Sequence, residues 1–139
     1  MINMPATALL AAHLQATLDR LDAGSGTASI RVYSTSIPIT PGAHGNTPMA
    51  TIVLPKPCGT IVGATLVLTP GEPALVMTAG HPRWAELMAA DGAVLHVGDV
   101  TDASHDGFWR AAGADTPEGE TSPYYAAGGL LSLGAVVLT

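Results

Sequence analysis

Ionic side chains are scarce in this chain. Five Lys or Arg and eleven Asp or Glu make up 12% of 139 residues, where an ordinary soluble domain carries roughly 25%. So few ions cannot cover a domain of this size, which leaves much of the outside as hydroxyl, backbone and methyl. Such a surface suits burial, because the centre of an interface excludes unpaired charge while Thr, Ala and Gly leave water cheaply. Cysteine is equally sparse. The single Cys58 excludes an intrachain disulfide framework, and with only Lys56 near it in sequence it reads as a small buried apolar residue. A net charge of −6 with one lysine repels phosphate backbones, which argues against nucleic acid as a partner. Mean hydropathy is +0.36, yet no stretch reaches the roughly 18 uninterrupted apolar residues of a spanning helix. No membrane partner is expected. The apolar run Ala8 to Ala12 lacks a basic flank, so a signal peptide is not expected either.

What is present is a change of period. Leu10, Leu14, Leu18 and Leu21 recur at helical intervals and predict one amphipathic helix over about 5–22, with Asn3 near the N-cap and Gly24 closing it. The helix is too short to persist alone, so its leucines must dock on something. After Gly24 the period falls to two. Ala28, Ile30 and Val32 alternate with Ser29, Arg31 and Tyr33, as in a strand with one buried face. Ile37 to Pro48, rich in Pro and Gly, predicts a long exposed loop. Further strands are expected at Met49 to Leu54, Thr60 to Thr69 and Ala74 to Ala79, divided by breakers that include Pro55, Pro57 and Pro70. Ala90-Asp91-Gly92 between two apolar runs predicts a hairpin. Short strands follow at Phe108 to Ala111 and at Leu130 to Leu138, the latter expected near the centre of a sheet because it lacks Pro and charge. Many short strands with one leading helix indicate a single all-β domain over 1–139: a jelly-roll-like antiparallel β-sandwich from about residue 27, with one short N-terminal helix. A parallel α/β arrangement lacks crossover helices.

Catalytic patterns are not found. His13, His44, His81, His96 and His105 include no pair two residues apart on one strand, so no metal is expected. Asp99, Asp102 and Asp106 cluster around His105, but no Glu closes the loop as a calcium site needs. That cluster reads as a solvated acidic turn. The serines show no nucleophile elbow and the glycines no phosphate loop, while Glu86 stands on a strand without a partner in view. No enzyme, catalytic residue or cofactor is expected. Aromatics are 4% of the chain. The adjacent pairs Phe108-Trp109 and Tyr124-Tyr125 each turn one ring outward if strand-borne, where a ring can stack a sugar or anchor an interface. Trp84 reads as core.

The Leu/Ala helix closed by Gly24, the strand Ser29-Ile30-Arg31-Val32-Tyr33-Ser34 entering a Pro-rich loop, the Asp91-Gly92 hairpin, and Gly128-Gly129 leading a Leu/Val/Thr strand resemble, over nearly the whole chain, the jelly-roll capsid cement (decoration) proteins of short-tailed bacteriophages. The resemblance implies a virion protein on the outer surface of an icosahedral capsid. It would bind the major capsid protein of an HK97-fold shell, bridge neighbouring capsomers, and act as a homo-oligomer, a dimer before a trimer. No functional residue transfers. Phe108, Trp109, Tyr124, Tyr125, Ile37, Ile39 and Met49 are the candidate contacts with the capsid or a second copy. The alternative is a glycan- or receptor-binding jelly roll of the virion or tail.

Overall fold

The computed structural model describes residues 2–42, 44–69, 71–114 and 116–139, so the breaker Pro70 lies outside the described residues. Helix α1 spans Thr7–Asp22. Its leucine stripe is docked as the period predicts, with Leu14, Leu18 and Leu21 buried. Asn3 does not cap it; the N-cap is Ala6, which makes no side-chain bond. At the other end the Asp22 carboxylate accepts the Cys58 amide hydrogen. Gly24 follows at φ +134°, where a Cβ would meet the backbone of Ala90 and Asp91 at about 3 Å.

The body is β, as the strand pattern predicts. Strands β1 (Ser29–Tyr33), β2 (Ala50–Val53), β5 (Ala74–Leu75), β6 (Trp84–Met88), β7 (Val94–Asp102), β8 (Trp109–Ala112) and β9 (Leu130–Leu133) form one sheet in the order β2-β1-β6-β7-β8-β9-β5. This sheet curls until its ends meet. Gly71 lies against the Val53 carbonyl, and the Met77 amide donates to the Met49 carbonyl, giving a nearly closed, barrel-like sandwich. A smaller sheet, β10-β4-β3, is built from β3 (Gly59–Val62), β4 (Thr65–Leu68) and β10 (Val136–Leu138). Its inward residues Leu66, Leu68 and Val136 join the helix leucines and barrel residues such as Ile52 and Trp109 in one core.

Three strand boundaries differ from the sequence reading. Thr60 to Thr69 is a hairpin rather than one strand, because Gly63 at φ +58° reverses the chain between β3 and β4. Ala74 to Ala79 shrinks to two paired residues, β5, whose neighbours Val76 and Met77 bond to Gly129 and Met49 instead. Leu130 to Leu138 breaks at Gly134, whose amide donates to the Arg110 carbonyl. β9 lies inside the large sheet, between β8 and β5, but β10 crosses to the small sheet and becomes its edge. Apolar composition reports burial of one face, which an edge strand also has.

β7 and β8 run parallel, Val100 opposite Trp109. A crossover helix is not needed here. The loop after Asp102 only returns to the level of Val100, a descent of two residues, and the Gly107 amide on Thr101 Oγ1 with the Phe108 amide on Asp99 pin it. The hairpin at Asp91-Gly92 joins β6 to β7 as expected, with Gly92 at φ +93° and the Asp91 carboxylate accepting the Ala93 amide hydrogen.

Leu21 is completely buried between helix and sheet. Leu21→Ala is therefore expected to lower stability by about 2–5 kcal/mol, measured by urea denaturation, whereas exposed Leu9→Ala should change it by less than about 0.5 kcal/mol.

Candidate functional site

Alternation on β6 fails for a reason. All of Trp84–Met88 is buried, because Ala85 and Leu87 face the barrel core while Trp84 and Glu86 face a second covering layer. That layer is the segment 37–48, described except at position 43. Most of it is exposed, as its Pro and Gly content predicts, but it turns His44 inward. His44 drops its ring against both Tyr33 and Trp84, 5.0 and 5.1 Å away and edge-on, and those two rings stack at 4.2 Å.

Glu86, with 2% of its surface exposed, has the partners that were out of view in the sequence. Tyr33 Oη donates to Oε1 at 2.6 Å, and His44 Nε2 lies 2.9 Å from Oε2. The Asn46 amide donates to His44 Nδ1, so the ring proton sits on Nε2 and points at the carboxylate. Burial first, then the Glu86 bond, push the Tyr33 hydroxyl up to about 12, which keeps it a donor. The arrangement is a clasp that holds the covering segment down.

A second polar place is an open cleft of about 630 Å³ at the rim where β7 ends, lined by His81, Arg83, Asp99, Asp102, His105 and Ser122 among others. Its side chains mostly satisfy one another. His81 lies 2.9 Å from Glu120 and 3.0 Å from the Pro123 carbonyl. Asp102 accepts from the Ser104 amide and hydroxyl and from His105 Nδ1 at 2.6 Å. Ser, His and Asp thus meet, but not as a relay: hydroxyl and carboxylate contact the same imidazole nitrogen, leaving no second nitrogen between nucleophile and orienter. Among the described residues no group of three or more His, Cys, Asp or Glu is placed to hold a metal ion. No helix of the described residues is long and apolar enough to cross a membrane.

The candidate contact residues divide by burial. Trp109, Tyr125 and Met49 are core residues and offer no surface; the Tyr125 hydroxyl is spent on the Ala112 carbonyl. Phe108 is half-buried between the His96 and Trp109 rings, 4.5 and 4.6 Å away. Tyr124 is half-buried against His81. Only Ile37 and Ile39 stand exposed. The expectation of one outward ring per pair therefore reduces to partial exposure of Phe108 and Tyr124, because β8 turns Trp109 inward and the bridge Gly80 to Tyr125 does the same for its ring. Cys58 is buried and burial, with Asp22 beside it, pushes its thiol up to about 12, an unreactive state.

The sequence reading missed two exposed apolar places. Leu75 and Leu130 are cross-strand neighbours with both side chains outward, near Val53 and Met77 on the barrel seam. On the small sheet every outward side chain is Val or Thr, including Thr60, Val62, Val67 and Val137. Strict alternation at Thr60-Ile61-Val62 and Thr65-Leu66-Val67-Leu68 was the available signal. It was masked by reading the hairpin as one strand.

No family model, curated protein or solved structure matches this chain.

Two outcomes follow from the clasp and the rim. Glu86→Leu leaves the Tyr33 hydroxyl and His44 Nε2 without an acceptor, at about 1–3 kcal/mol each, and should speed amide exchange at Asn46 while β9 amides stay protected. At the rim the Asp102 bond raises His105 above the ordinary imidazole range, and His105 first, then Ser104, hold Asp102 well below the carboxylate range. This ion pair is complete between those two values; it is lost as pH rises through the His105 value and as it falls through that of Asp102. An NMR titration should place the His105 midpoint above the ordinary imidazole value, and Asp102→Asn should bring it down.

Proposed function

We propose that this chain is a structural component of a virion, a decoration protein that binds the outside of an icosahedral shell and bridges neighbouring capsomers. The observation that carries the reading is the segregation of charge. Asp99 and Asp102 at the end of β7, with Asp106 and Glu120 in the loops beside it, gather at one rim, whereas the β10-β4-β3 sheet has no ion at all and the seam carries exposed Leu75, Leu130 and Met77. An acidic rim favours water and repels packaged nucleic acid. Neutral faces favour contact. The likeness of the whole-chain pattern to capsid cement proteins points the same way, and Ile37 and Ile39 on the covering segment are the contact candidates that remain exposed.

The work of such a protein is burial of area. A shell holding DNA under pressure is limited by the contacts between capsomers, and a small rigid domain lying across them adds interface without altering the shell's own fold. A standard interface buries roughly 1,600 Å², and even a modest net gain recurs at every lattice site. No bond is made or broken, so no catalytic residue is required.

Glycan binding is the second reading, and the rim cleft with His81, Asp102 and Ser122 is its specific support. Weighing against it, His81 is already bonded to Glu120 and the Pro123 carbonyl, and Asp102 to Ser104 and His105. The decisive experiment titrates the purified protein onto shells that lack it, following occupancy by electron microscopy and rupture temperature by light scattering. Saturable occupancy at lattice positions with a higher rupture temperature is expected. Binding at the tail vertex alone, or sugar affinity abolished by Asp102→Ala without shell binding, would transfer the assignment to the glycan reading.

A further inference from the structure

The small sheet has two outer edges, β3 and β10, since each strand pairs only with β4. Exposed edges are templates for another strand, and natural sheets blunt them with Lys, Pro, bulges or a covering segment. Among the described residues, none of these devices is found within the three strands. The strands read Gly-Thr-Ile-Val, Thr-Leu-Val-Leu and Val-Val-Leu, and their registers with β4 are unbroken. Among the described residues no backbone hydrogen bond carries the outer edge of Thr60, Ile61 or Val62 to another segment. The β10 edge is less open, because the residue leading into it, Gly134, is bonded to Arg110 of β8. Val62 is also the more exposed of the two outward valines, 59% against 49% for Val137.

From these observations we infer that two copies of this chain pair through β3, edge to edge and antiparallel, making one continuous six-stranded sheet. A second copy is the fitting occupant on electrostatic grounds. Two molecules of net charge −6 repel, and they meet at least cost where neither presents an ion; a charged partner would leave its own ions unpaired against Val and Thr. An antiparallel edge is moreover complementary to itself about a two-fold axis. Side-chain alternation restricts the register to those that keep outward residues together. With Ile61 on the axis, Thr60 of one copy faces Val62 of the other, and Ile61 stays turned to the core.

This pairing deepens the assembly reading and rests on it for its purpose, a bridging unit with two identical shell contacts. Its test needs no shell. Sedimentation equilibrium of the full chain at micromolar concentration should give twice 14.0 kDa. Val62→Lys, which places charge on the edge, should weaken pairing by about tenfold or more and yield a 14.0 kDa species with unchanged near-ultraviolet circular dichroism. Leu130→Lys, an equally exposed apolar residue on the barrel seam, should leave the dimer intact. If Val62→Lys does not fold, Thr60→Lys serves in its place. A monomeric wild type, a Val62→Lys protein that still pairs, or loss of pairing in both variants overturns the inference. Shell titration fails or succeeds independently: a dimer that binds no shell refutes only the decoration role, and a monomer that stabilises shells refutes only the pairing.

Discussion

A carboxyl group buried in the middle of a β-strand dictates much of this architecture. Glu86 sits on β6 with barrel core on one side of its strand, and an uncompensated ion there would cost several kcal/mol. Two donors make it tolerable, the Tyr33 hydroxyl from the neighbouring strand and the His44 imidazole from the covering segment. Recruiting His44 requires the chain after β1 to fold back over the sheet rather than run into solvent. Once there, its ring closes an aromatic layer with Tyr33 and Trp84. A Pro- and Gly-rich stretch with little capacity for regular structure is thus held by one polar cluster and one stacked pair of rings.

The same economy of charge shapes the exterior. Most of the remaining acids are consumed locally: Asp22 by the Cys58 amide, Asp91 by Arg20 and the Ala93 amide, Asp102 by Ser104 and His105, Asp106 by Arg110. Each secures a turn or a helix end. Few ions are left to mark the faces of the sheets, so the small sheet presents Val and Thr and the seam presents Leu and Met. Neutral faces are the direct consequence of a composition with 12% charge in which many ions are spent on turns, helix ends and one rim. That consequence links composition to the assembly reading without any catalytic constellation.

Geometry also decides how small parts are joined. Gly63 and Gly134 each turn what composition reads as one long strand into two, and each break moves chain between edge and interior. The first creates β3, the edge assigned to pairing. The second carries β9 out of the barrel and into the small sheet as β10, so that both sheets and the helix share a single core.

Local pattern determined the elements. The 3.6 period of Leu14, Leu18 and Leu21 and the two-residue period of Ile30 and Val32 declare which face of each segment is buried, because a side chain's direction follows from the backbone repeat alone. The all-β class, the Asp91-Gly92 hairpin and the docked helix were legible for that reason. What no local pattern contains is which segments meet. Glu86 and His44 are 42 residues apart, and neither carries a motif; their pairing exists only because β1 and β6 are neighbours and the covering segment crosses them. Burial of Trp109, Tyr125 and Met49, against exposure of Ile37 and Ile39, was decided in the same way. Hydrophobicity states that a residue gains by leaving water, and only the tertiary structure decides whether its own chain or another supplies the cover.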